Sequence, residues 1–246
     1  MADLKTFAAH GVYGMACVTA WTVQSTQGVR RVQPLDPTLV SETLDCLASD
    51  VRFSAIKVGM LGDHTVAAAV LDWLGQWTAT PVVLDPVLRS SSGHELLDHC
   101  GFDTMREGWL ERANWITPNL MELAALTGVA LPATHAEIED AAAKLHQMAA
   151  GRGNPSLRIA VTGGHAARPD DLLLSGDTCR WYPGEQVETA STHGTGCAFS
   201  SALAARLALG KNDDAAMRLA KEYVAGALES SYPVGHGRGP VNHFWH

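Results

Sequence analysis

Hydrophobic and polar positions change period repeatedly along the chain, and the changes mark out its elements. Residues 3–10 place Leu4, Phe7 and Ala8 on one helical face, which predicts an opening helix. Residues 16–23 read as a strand. Asp36 and Pro37 supply an N-cap and a first-turn proline for a helix running to about residue 49. A short apolar strand at 55–59 is followed by Asp63, which caps a helix reaching about residue 77. Further apolar strands fall at 81–85, 114–117 and 157–162, and helices at 119–127 and 136–151. A hairpin follows at 171–174 and 179–182, and two helices, about 195–209 and 213–231, close the chain.

Strands that are apolar on both faces and alternate with helices predict a parallel sheet covered on both sides, an α/β fold built as one domain over residues 1–246. Only 87–94 and 187–194 read as long connections. Both leave the sheet on the side where open α/β sheets bind ligands, so function is expected there.

Composition narrows the classes. The 246 residues carry 18 Lys and Arg against 26 Asp and Glu, a net charge of −8, which argues against a nucleic-acid partner. The longest apolar runs, such as 65–71, fall far short of the ~20 residues of a membrane span. No basic segment leading into an apolar stretch opens the chain, so no signal peptide is expected. Five cysteines without a Cys-Xaa-Xaa-Cys pair fit neither a zinc site nor a disulfide framework, and predict a reduced, cytoplasmic protein. Cys17, Cys46, Cys100 and Cys179 are expected as buried small apolar residues.

The strongest chemical signal is Thr192-His193-Gly194-Thr195-Gly196-Cys197-Ala198, running directly into an apolar helix. Such a turn aims successive amides at one point, and the helix start adds positive potential, a setting for phosphate or a developing oxyanion. A plain glycine turn before a helix is the competing reading. It is not a Walker loop, because no Gly-Lys-Ser/Thr ending follows. Cys197 falls on the first helical turn, where a thiol titrates below its usual ~8.5 and could act as a general base. A small residue packed under the turn is equally compatible. Asp85 ends an apolar strand and Glu122 lies one turn into a helix, positions from which carboxylates hold magnesium, cap helices or face solvent. Thr162-Gly163-Gly164-His165 gives a second turn able to approach a nucleotide. His165, His193 and the histidines from His236 to His246 show no metal-ligand spacing, and Trp21 and Met60 read as core, though either could border a flat ring.

Taken together these segments resemble the hydroxymethylpyrimidine/phosphomethylpyrimidine kinases of the ribokinase superfamily. The resemblance rests on Ala2-Asp3-Leu4-Lys5-Thr6-Phe7, Gly11-Val12-Tyr13-Gly14, Lys57-Val58-Gly59-Met60-Leu61, Val82 to Val87, Ile116 to Leu120, Gly163-Gly164-His165, Thr192 to Cys197, and Gly235-His236-Gly237-Arg238-Gly239-Pro240. It implies a ribokinase-like central sheet of about eight mostly parallel strands, within the usual range for sheets. It also implies transfer of phosphate from ATP, with Mg2+, to 4-amino-5-hydroxymethyl-2-methylpyrimidine and then to its monophosphate, in a homodimer. By the same resemblance, Gln24 faces the pyrimidine edge, Met60 and Val87 line the ring, and Asp3 joins the substrate site. Gly194, Thr195, Gly196 and Cys197 form the anion hole, with Cys197 where more distant relatives have a catalytic Asp. Asp85 and Glu122 hold magnesium, while Thr162, Gly163, Gly164, His193 and the closing segment border the nucleotide.

Three departures from the family pattern shape these expectations. A strand and Gly-rich segment precede the Ala-Asp-Leu-Lys match in the family, whereas Met1 stands directly before Ala2 here; an open pocket wall and unpaired ladder groups are expected. Thr162 stands where the family commonly has Lys. Leu88-Arg89-Ser90-Ser91-Ser92-Gly93 replaces the commoner Met-Xaa-Ala-Lys-Ser-Gly. Two other functions stay open at this stage: a pyridoxal kinase of the same superfamily, and a homologue that binds ligand without catalysis. A dinucleotide-binding oxidoreductase fits poorly, because no Gly-Xaa-Gly-Xaa-Xaa-Gly follows an early strand.

Overall fold

Capping residues set where the helices start. In the computed structural model, which describes residues 1–90, 93–164 and 168–245, the order is α1 (Ala2–Ala9), β1 (Ala20–Ser25), β2 (Gly28–Pro34), α2 (Pro37–Asp50), β3 (Ile56–Val58), α3 (His64–Leu74) and β4 (Val82–Leu84). Then come α4 (His99–Thr104) and α5 (Leu110–Arg112) around a π-helical turn (Met105–Trp109), β5 (Trp115–Ile116), α6 (Leu120–Thr127) and α7 (His135–Ala150). The chain ends with β6 (Arg158–Val161), β7 (Asp171–Ser175), β8 (Thr178–Tyr182), α8 (Thr195–Ala208) and α9 (Asp213–Glu229). The Asp36 carboxylate accepts from the amides of Thr38 and Leu39, and Asp63 accepts from Val66. Asn119 with Glu122, and Thr134 with Glu137, close reciprocal capping boxes on α6 and α7.

Among the described residues six strands form the main sheet in the order β3-β4-β5-β6-β7-β8, parallel from β3 to β6 and antiparallel through the β7–β8 hairpin. Alternation along each strand divides the core between two faces. Val82, Leu84, Ile116, Ile159 and Val161 pack with α3, α6 and α7, while Val83, Trp115, Ala160 and Leu173 pack with α8 and α9. That is why these strands read as unbroken apolar runs. Burying each such side chain stabilises the sheet by about 1.5–3 kcal/mol.

Several expectations are corrected. Among the described residues the sheet has six strands rather than about eight, and β1, read as a sheet strand, instead pairs with β2 in a separate antiparallel ribbon with a bulge at Val23/Gln24. The reading missed β2, whose Arg30, Arg31 and Gln33 break any apolar run, and the helices around Met105–Trp109. Residues 11–19 form a third long connection. Trp21 is not core but 64% exposed on the ribbon. Cys46, Cys100 and Cys179 lie exposed and Cys17 half-buried, rather than packed inside; all five cysteines are free. No helix among the described residues is long and apolar enough to cross a membrane.

Candidate active site

The turn before α8 is shaped by one backbone requirement. Gly194 caps the helix in the left-handed region at φ 87°, where a side chain would be strained, and it offers no side-chain acceptor to the first helical amides. Open space lies beside Gly196. Thr195 Oγ1 donates to the Thr192 carbonyl at 3.3 Å, closing the turn on itself. The predicted cradle of Gly194, Thr195 and Gly196 thus forms a helix start without a side-chain cap, open beside Gly196. His193 pairs through its backbone with Gly239 and Val241, so the closing Gly-rich segment lies across this turn. The Gln24 amide donates to His193 Nε2 at 3.0 Å, which brings the ribbon to the same place. Burial holds His193 below the ordinary imidazole value, consistent with a neutral ring accepting that bond.

Behind the turn lies a buried charged cluster. Asp85 follows β4 at the carboxyl end of the sheet, 4% exposed, and takes a hydrogen bond from Ser200 Oγ at 2.9 Å. Lys57 of β3 sits 3.6 Å from Asp85 and 3.2 Å from Asp3 of α1. Burial pushes the Asp3 carboxyl up, but Lys57 and the Ser201 hydroxyl outweigh it and hold it low. For Asp85 burial wins over Lys57 and Ser200, and the carboxyl is raised.

Cys197 belongs to this cluster, and here an expectation fails. The helix start was expected to lower its thiol; instead burial, followed by the charges of Asp85 and Asp3, pushes it up to about 12 against the pull of Lys57. Desolvation outweighs the helix dipole here, and the negative charges of Asp85 and Asp3 act in the same direction. Cys197 still shares the electrostatic neighbourhood of Asp85.

Glu122 closes the other side. Its Oε2 accepts the Asn119 amide at 2.9 Å, so the helix-cap reading is realised, yet the group is 8% exposed and feels Asp85. Burial first, then the charge of Asp85, raise it to about 8, partly offset by the amides of Asn119 and Leu88. Val87, half-buried, donates its amide to the Asp85 carbonyl at 2.8 Å, and the Met60 carbonyl accepts from Thr19 Oγ1 at 2.6 Å. Both ring-lining candidates thus flank strand ends that enter the cluster.

The second turn is held from β6. The Thr162 amide donates to the Pro118 carbonyl at 2.9 Å, and the Gly163 amide to Asp171 Oδ1 at 2.9 Å. A Cβ at Gly163 would run into the Asp170 carbonyl, whereas Gly164 opens onto space. His165 lies outside the described residues, as do Ser91 and Ser92 of the 87–94 connection. Sequence reasoning missed Lys57, Ser200 and Ser201 as members of the cluster; a lysine inside the apolar strand Ile56-Lys57-Val58 was the available signal.

Comparison with known proteins identifies the family and the fold. A sequence model of the family described as phosphomethylpyrimidine kinase matches residues 1–242. The hydroxymethylpyrimidine/phosphomethylpyrimidine kinase of Rhizobium meliloti strain 1021 is 38% identical over 99% of this chain and 90% of that protein. The enzyme of that name from Escherichia coli K12 is 36% identical over 99% and 91%. Among solved structures, phosphomethylpyrimidine kinase from Clostridium difficile 630 superposes with a TM-score of 0.78 at 28% identity, covering 91% of this chain and 90% of that one. A pyridoxal kinase from Staphylococcus aureus in complex with ADP superposes with a TM-score of 0.87 at 28% identity, covering 99% and 87%. The mostly parallel sheet with helices on both faces is the ribokinase-like fold expected from the resemblance. A full-length sequence match and an amide turn meeting a buried acid cluster at the sheet's carboxyl end lead to one assignment: the chain belongs to the phosphomethylpyrimidine kinase family.

Proposed function

We propose that the chain transfers the terminal phosphoryl group of ATP to the hydroxymethyl oxygen of 4-amino-5-hydroxymethyl-2-methylpyrimidine, and then phosphorylates the monophosphate, in thiamine biosynthesis. The observation that carries this reading is the convergence of the 194–197 amides, Cys197 and Asp85 at one end of the sheet. The hydroxymethyl oxygen bonds to the γ-phosphorus as the bond to the β,γ-bridging oxygen breaks and ADP leaves. Such a step needs positioning and charge stabilisation more than covalent help. The Gly194, Thr195, Gly196 and Cys197 amides stabilise the charge that spreads over the moving group.

The Cys197 thiol, protonated at rest, first releases its own proton to solvent, and the thiolate so formed takes the departing hydroxyl proton. The thiol is held protonated at rest, so its thiolate is scarce; once formed it is a strong base, suited to an alcohol proton. The Gln24 amide exchanges His193 for the pyrimidine edge, since an amide can both donate and accept, and Met60 and Val87 flank the ring. Asp3 directs its outward oxygen toward the same substrate. Thr162, Gly163, Gly164 and His193 border ATP.

Asp85 and Glu122 fit a magnesium ion. Both carboxylates are buried with raised proton affinity, Glu122 partly through the charge of Asp85, and a divalent cation would stabilise their charged forms; magnesium takes one or two carboxylates plus phosphate oxygens and water. When bound, the ion offsets phosphate charge. Among the described residues no group of three or more His, Cys, Asp or Glu could hold a metal, so Asp85 and Glu122 would share the ion with phosphate oxygens and water. A homodimer through the β1–β2 ribbon is supported by the exposed Trp21 and Val23, and a cytoplasmic location by the free cysteines.

The likeness to pyridoxal kinases makes pyridoxal the competing substrate. Turnover of the purified chain with ATP and magnesium is measured side by side on both compounds. The pyrimidine is expected to show a kcat/KM at least about tenfold higher, the scale a pocket with directional polar contacts achieves. A preference for pyridoxal overturns the assignment, and absence of substrate-dependent ADP release with either compound leaves a non-catalytic binder.

A further inference from the structure

Lys57 has no part in the steps above, yet its side chain is 3% exposed. Burying an ammonium is unfavourable unless the charge is paired and bonded, and here the pairing links four elements. Nζ lies 3.2 Å from Asp3 Oδ1 and 3.6 Å from Asp85 Oδ2. The same Asp3 oxygen accepts Ser201 Oγ at 2.8 Å, and the same Asp85 oxygen accepts Ser200 Oγ at 2.9 Å. Both serines are fully buried, and both belong to α8, three and four residues beyond Cys197, one turn further along that helix. Ser200 Oγ also lies 3.0 Å from the Gly196 carbonyl and 3.2 Å from that of Cys197. One cation thereby ties α1, β3 and β4 to the first two turns of α8.

We propose that Lys57 is a positioning residue for phosphoryl transfer: its buried ammonium orients Asp3 and Asp85, and through Ser201 and Ser200 it fixes the 194–197 turn against the ends of β3 and β4. The proposal rests on the kinase reading of that turn. Removing the ammonium leaves two neighbouring carboxylates that repel each other and swing away from the serines, so the amide cradle loses its register. The nucleotide turn at 162–164 hangs on Pro118 and Asp171 instead, so ATP affinity should fall far less than turnover.

Lys57→Met, Lys57→Arg and Ser201→Ala are compared with the parent by steady-state kinetics and by amide hydrogen exchange over residues 195–201. Lys57→Met is expected to lower kcat about 100-fold and Ser201→Ala about tenfold, with KM for ATP within about twofold, as for groups that orient others. Lys57→Arg recovers part of the loss, since it keeps the charge in a different shape. Exchange over 195–201 accelerates in Lys57→Met and Ser201→Ala while α9 stays as in the parent. A role in charge balance alone predicts instead a global loss of protection, with Ser201→Ala unchanged. Should Lys57→Met not fold, Ser201→Ala decides, because it leaves every charge in place. Parental kcat together with parental exchange in folded Lys57→Met or Ser201→Ala overturns the proposal. A parent chain inactive on both substrates, whose 195–201 exchange still follows the variants, overturns the kinase reading while upholding the strut.

Discussion

At the residue scale, desolvation governs Asp85, Glu122 and Cys197, while the Lys57 ammonium and the Ser201 hydroxyl hold Asp3 low. Glu122 has an ordinary value of 4.5 and stands near about 8 in the folded chain. Between these values the folded state keeps a proton that the unfolded chain has released, so this group lowers stability as pH rises from about 4.5 to about 8. Glutamine at this position keeps an oxygen for the Asn119 amide and carries no charge. Glu122→Gln is therefore expected to match the parent in thermal unfolding near pH 5 and exceed it by on the order of 2 kcal/mol at pH 8, while losing turnover. An equal stability difference at both pH values would contradict the burial argument. Cys197 teaches the same lesson in reverse. Its place at a helix start was legible in the sequence, but the two carboxylates that face it come from segments 194 and 112 residues away, a separation that a local pattern does not carry.

At the scale of elements, the two turns differ in what they tolerate. Gly163 has the Asp170 backbone where a side chain would sit, and Gly164 has open space. Gly163→Ala is expected to destabilise by about 1–3 kcal/mol, as overpacking does, and to raise KM for ATP. Gly164→Ala should leave melting within about 0.5 kcal/mol of the parent, as benign surface changes do. Differential scanning calorimetry with ATP titration separates the two, and equal behaviour would refute the close approach. The starts of α2 and α3 were legible because Asp36 and Asp63 announce them through their own side chains. The β1–β2 ribbon was not. Its strands bury little, so their polar and apolar positions carry no core signal, and β1 looked like one more sheet strand.

At the scale of the whole molecule, the ribbon reaches from the sheet to the closing segment. Gln24 bonds to His193, and the Gly237 amide donates to Thr26 Oγ1 at 3.2 Å, so ribbon, tail and the turn before α8 form one wall. The outer side of that wall exposes Trp21 at 64% and Val23 at 57%, two residues apart on one face. Burial of this apolar face in a homodimer predicts that Trp21→Glu shifts sedimentation from dimer to monomer. A parent that sediments as a monomer at micromolar concentration rules that assembly out.

The central claim is that the 194–197 turn and its thiol carry out the transfer. Comparing Cys197→Ala with the parent, pyrimidine-dependent turnover and ADP affinity measured on the same preparations test it most directly. Turnover lower by at least about 100-fold with ADP affinity within about threefold is the predicted result, the scale of a lost general base. Turnover within a few-fold of the parent would contradict the account.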